Sequence, residues 1–135
     1  MKPQSGGKTD LTALLRGMSP LLEPGEFVFA TAPPGQAIPA GCDPMCAVRE
    51  RQGLTLILPR AEAERLQLPF AFVCRKITLQ VHSDLAAVGF LAKITSELAA
   101  RGIAVNVVSG YHHDHLFVPA DRAEDAMNAL EALGR

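Results

Sequence analysis

The residues best equipped for chemistry stand in two short runs. His112-His113-Asp114-His115 concentrates imidazoles and a carboxylate, and Ser83-Asp84 precedes the small-residue stretch Ala86-Ala87-Val88-Gly89. On a strand, His113 and His115 face one side and Asp114 the other. Two histidines plus a third ligand from elsewhere, such as His82, would suit Zn²⁺ or Fe²⁺, whereas a closed site needs three or four ligands in correct geometry. The alternative is a polar hairpin whose histidines hydrogen-bond or lie at a dimer edge. Cys42 and Cys46 sit in a proline-rich loop and, with Cys74, fall short of a Cys₄ site. They read as small buried hydrophobes, and three cysteines make no disulfide framework. Reduced thiols point to a cytoplasmic protein.

Catalytic signatures are missing. The chain has no G-x-S-x-G elbow, P-loop or G-x-G-x-x-G fingerprint. The reading is therefore a non-enzyme that needs no cofactor. Thirteen Lys and Arg against fourteen Asp and Glu give a net charge of −1 with no basic stripe, which argues against nucleic acid. No apolar run approaches the roughly 20 residues that span a bilayer, which argues against a membrane partner. With 48% hydrophobic and 20% charged residues in 135, a packed core is expected.

The elements that position these residues emerge from periodicity. Lys76 to His82 alternates as a half-buried strand. Ser83 or Asp84 is the expected N-cap of a helix from about Ala86 to Arg101, with Ala87, Leu91, Ile94 and Leu98 on one stripe. Gly102 is its expected C′ residue. Ile103–Ser109 and Leu116–Val118 form a hairpin turning near Gly110–His113, and Pro119 ends it. Asp121 and Glu124 suggest an acidic capping box for a last helix carrying Ala123, Ala126, Met127, Leu130 and Leu133.

The first half repeats this pattern. A shift of 60 residues lays Met45–Leu66 over Val105–Ala126 without a gap, with strand-ending Pro59 on Pro119. Glu26–Thr31 is the equivalent first strand and Phe70–Cys74 the last. Four prolines between Pro33 and Pro44 exclude a long helix there. The expected fold is α+β: two ferredoxin-like lobes, antiparallel sheets with helices on one face, the first lobe lacking its first helix. The expected boundaries are a flexible 1–8, a degenerate lobe at 9–74 with a short helix Asp10–Met18, and a second lobe at 75–135. That second lobe lacks a final strand, so another chain segment or a second subunit must cover its edge.

Lys76–Leu91, Leu98–Asn106 and Gly110–Pro119 resemble the first strand and helix, the second strand, and the hairpin return of an ACT domain. From about Leu11 to Leu133 the chain resembles small bacterial tandem-ACT proteins, relatives of CASTOR-type sensors and aspartate-kinase regulatory domains. The resemblance implies a regulatory protein that binds an amino acid or similar small molecule allosterically at a lobe or subunit interface. It also implies a homodimer and an unidentified protein partner. The expected site has the amides of Ala86, Ala87, Val88 and Gly89 cradling a carboxylate at a helix start. Asp84 would take the ammonium, with Ser83 and Asn106 beside it. Against this stands an assembly module with a vestigial site, and behind it a metal protein using His113 and His115.

Overall fold

The computed structural model describes residues 10–135, so the expectation for 1–8 lies outside the described residues. In chain order the elements are α1 (Leu11–Gly17), β1 (Pro20–Leu22), β2 (Phe27–Ala32), β3 (Cys46–Glu50), β4 (Gly53–Pro59), α2 (Arg60–Arg65), β5 (Phe70–Leu79), α3 (Phe90–Ala100), β6 (Asn106–Ser109), β7 (Asp114–Pro119), a 3₁₀ turn (Ala120–Arg122) and α4 (Ala123–Leu133). They fall into two compact units. A continuous unit runs from Pro24 to Arg75, and a split unit joins the segment up to Glu23 with Lys76–Arg135.

The continuous unit has strand order β3-β4-β2-β5. β2 pairs antiparallel with β4 from Phe27↔Pro59 to Ala32↔Leu54, and β3 with β4 from Cys46↔Ile57 to Glu50↔Gly53. Its core is Val28, Ala30, Ala32, Leu54, Leu56, Leu58 and Ala63. The proline-rich stretch after β2 forms no helix, as expected, so the six-residue α2 is this unit's one helix among the described residues. The β2–β5 register slips between Phe27 and Phe29, and Phe72 takes φ +61° opposite the slip. That is the signature of a bulge, which places one extra residue on β5 and bends it. The Phe72 ring packs edge-on against Phe29 at 5.8 Å.

The split unit has strand order β1-β5-β7-β6, with β5 entering through Lys76–Leu79. β1 pairs antiparallel with β5 (Pro20↔Leu79, Leu22↔Ile77), so the edge left open by the missing last strand is covered by the chain's own N-terminal segment. Residues 10–23, expected in the first lobe, therefore belong with the second. Leu14 and Met18 of α1 share its core with Ile77, Leu79, Ile94, Leu98, Leu116, Val118, Ala126 and Leu130. Each large side chain fully buried there is worth about 1.5–3 kcal/mol relative to exposure.

The α3 stripe is Phe90, Ile94 and Leu98, with Leu91 half-buried. Its end matches the sequence. Gly102 at φ +70° donates its N–H to Ala99 O and Ile103 donates to Leu98 O, both at 2.9 Å, a Schellman motif sealed by buried Leu98 and Ile103. Its start does not match. The helix begins at Phe90, four residues later than expected, because Asp84 turns the chain before it becomes helical. The acidic capping box is also absent: Asp121 lies in the 3₁₀ turn and no side chain caps α4.

Candidate ligand site in the split unit

Two elements meet around the loop between β5 and α3. Asp84 Oδ1 accepts from Ala86 N–H at 2.7 Å, and Ala87 N–H donates to Asp84 O at 2.9 Å. This Asx turn occupies two of the four amides expected to cradle a carboxylate, and engages the carboxylate expected to take an ammonium. Among the described residues no protein acceptor takes the N–H of Val88 or Gly89. Gly89 adopts φ +91° at the N-cap of α3, a conformation that disfavours any side chain. A Cβ there would meet its nearest neighbour, Leu11, at 3.8 Å, so conformation and not crowding selects glycine. No side chain caps α3, which leaves the amides of its first turn open to an acceptor.

Ser83 is no helix cap. Its hydroxyl donates to Asp114 Oδ2 at 3.0 Å, and both residues are buried. Asp114 opens β7 on the face that carries Leu116 and Val118 of the core. The β6–β7 register sets Ser109 opposite it. Ser83, Asp84, Leu85, Ala87, Phe90, Leu91, Ser109 and Asp114 line a cavity of about 90 Å³. Leu85 and Val88 project from the loop, 66% and 87% exposed.

Of the expected residues, the structure gathers Ser83, Asp84 and Ala87 around this cavity. Ala86, Val88 and Gly89 belong to the same loop but do not line it. Asn106 is exposed at the far end of β6, three residues or roughly 10 Å from Ser109. The residue that sequence reasoning leaves out of this site is Asp114. Its signal is a carboxylate at the first of three alternating positions whose others, Leu116 and Val118, are apolar.

The remaining histidines sit apart from the cavity lining. Gly110 N–H donates to His113 O at 2.9 Å and closes the hairpin, so close that a Cβ on Gly110 would stand 3.0 Å from that oxygen. His115 faces the other side of the sheet, with its Nδ1 3.0 Å from Thr78 Oγ1. Thr78 gives its one proton to Glu23 Oε1 at 3.2 Å, which makes His115 Nδ1–H the donor to Thr78. Burial, with Lys76 and His113 nearby, holds the His115 ring below the usual histidine range, against weaker upward pulls from Asp114 and Glu23. The rings of His82, Tyr111 and His112 pack together, with centroids 5.0–6.1 Å apart. Among the described residues no three His, Cys, Asp or Glu side chains group to hold an ion. Cys74 is buried and donates to Phe27 O at 3.3 Å, while Cys42 and Cys46 are half-buried and free.

Known sequences decide the family. Residues 6–75 and residues 72–132 each match an ACT domain. The chain belongs to the ACT-domain family. No curated protein matches it. Among solved structures, a Vibrio cholerae protein of unknown function, described as a possible transport protein, is similar at 38% identity and TM-score 0.84, over 93% of this chain and 96% of that one. An Agrobacterium tumefaciens protein is similar at 21% identity and TM-score 0.74, covering 87% and 89%. The ligand-free regulatory subunit of aspartate kinase from Thermus thermophilus shares the fold at 12% identity and TM-score 0.63, covering 89% and 100%. Tandem ACT domains support a ligand-sensing regulatory role in general. No helix among the described residues is long and apolar enough to cross a membrane.

Proposed function

We propose that this tandem ACT protein senses an amino acid or a comparable small zwitterion at the β5–α3 loop of its split unit, and acts without catalysing a reaction. The observation that carries the reading is the cavity behind that loop, walled by Ser83, Asp84, Ser109 and Asp114 and floored by Phe90 and Leu91. The uncapped first turn of α3 supplies free amides and the positive end of the helix dipole, both suited to a ligand carboxylate. Ligand-dependent regulation then requires only that the liganded and free loops differ in affinity for a second copy or a partner protein.

A thermal-shift screen against the twenty amino acids tests this. A ligand at 100 times its Kd raises stability by about 2.7 kcal/mol. One amino acid giving a saturable rise in Tm is expected, and flat melting curves for all twenty contradict the reading. The exposure of Leu85 and Val88 favours a second reading, in which the loop is an assembly surface of a homodimer. Sedimentation of Val88→Asp without added amino acid tests the second reading: an assembly role predicts dissociation, and an unchanged oligomeric state contradicts an assembly surface at this loop.

A further inference from the structure

We infer that the cavity recognises a primary ammonium group and that Asp114 is its anchor. This deepens the ligand-site reading above and rests on it. Asp114 is 5% exposed, yet it lines a cavity and receives one side-chain donor, the Ser83 hydroxyl. A carboxyl group has about four acceptor sites on its two oxygens, and a single hydroxyl leaves most of them unused. Among the described residues no Lys or Arg forms an ion pair with it. Neither oxygen of Asp114 is both buried and unpartnered, so its spare acceptor positions are open to a donor that enters the cavity.

The cavity wall says which donor suits. Ser109, exposed at the end of β6, stands opposite Asp114 in the hairpin register, and with Ser83 it gives the cavity lining two hydroxyl-bearing residues. Three oxygen-bearing side chains match the three N–H donors of a primary ammonium. A metal ion is a poorer match, since one carboxylate and two neutral hydroxyls are a weak donor set and, among the described residues, no three ligating side chains group there. The volume of about 90 Å³ admits a headgroup of a few atoms, while Phe90, Leu91 and Ala87 offer apolar contact to a short carbon stem. Asp84 is committed to its own turn and is left out of the ammonium contact. The ligand class is a small primary amine, an α-amino acid with a short side chain included.

The test is an NMR titration of the full chain with L-alanine, ethylammonium and propionate, reading the amides of Ser83, Ser109 and Asp114. Ethylammonium and L-alanine should shift them saturably and propionate should not. Asp114→Asn keeps an acceptor for Ser83, and should weaken both responses by about tenfold or more with the rest of the spectrum unchanged. L-alanine binding with no ethylammonium response, or with Asp114→Asn equal to the parent, overturns the ammonium assignment and spares the amino-acid reading. Ethylammonium binding without L-alanine leaves the assignment standing and removes an alanine-sized α-amino acid as the ligand. No response to any probe overturns the ammonium assignment and leaves the amino-acid reading to the screen of all twenty, and the comparison of the three probes on the parent holds even if Asp114→Asn fails to fold.

Discussion

The two units share one strand order and part ways immediately after the first strand. After β2, four prolines lead the chain through a loop to β3. After β5, an Asx turn and a left-handed glycine deliver it into the eleven-residue α3. The consequence is visible in the cores. The continuous unit has a buried core of seven residues, three of them alanines, while the split unit has one of fifteen, to which α1 and α3 bring Leu14, Phe90, Ile94 and Leu98 and α4 brings three alanines and Leu130. It also shows in the polar groups. Each unit pairs a hydroxyl with a carboxyl, but Thr55–Glu50 is exposed whereas Ser83–Asp114 is buried beside a cavity. The continuous unit has larger cavities, such as that lined by Gly41, Asp43, Pro59, Ala61 and Glu62, but among the described residues none is lined by a buried polar side chain, so the proposed site falls in the split unit alone.

That contrast can be broken by mutation. The largest effect is expected for Leu116→Ala, which empties a fully buried position in the split unit and should lower stability by about 2–5 kcal/mol in urea unfolding. Val48→Ala, on the exposed edge strand of the continuous unit, should stay within about 0.5 kcal/mol. Ser83→Ala removes the hydroxyl donor of buried Asp114 and should cost about 1–3 kcal/mol. Thr55→Val breaks the exposed counterpart and should cost under about 1 kcal/mol. Equal costs for these two would erase the distinction between the units.

Titration sharpens it further. The His115 ring is held below its ordinary value in the folded chain, so the unfolded chain binds the proton more readily. The stability it contributes is present above the unfolded value of about 6.5 and is lost as pH falls through the lower folded value. Tm should therefore drop more on acidification for the parent than for His115→Gln, and parallel pH profiles would exclude this group. The smallest effect concerns thiols. Burial pushes Cys74 up to about 12, so in the folded protein a thiol reagent should reach Cys42 and Cys46 first.

Local signals are legible in this sequence and long-range ones are not. The 60-residue offset reappears in β3 against β6 and β4 against β7, because strands, turns and Pro59 and Pro119 write their own local pattern. Gly102 announces the end of α3 for the same reason. The start of α3 is not legible because Asp84 serves equally well in an Asx turn and as a helix cap, and only tertiary packing chooses between them. The pairing of β1 with β5 joins Pro20 to Leu79, a separation that no periodicity records. Along the chain Asp114 groups with its histidine neighbours, although its spatial partner is Ser83 on another element.

Hydrogen exchange with and without a mixture of the twenty amino acids tests the single-copy site most directly. The expected result is slowed exchange at residues 83–92 and 109–114 with no change at 33–44. Slowing at 33–44, or at no position, would contradict a ligand site confined to the split unit.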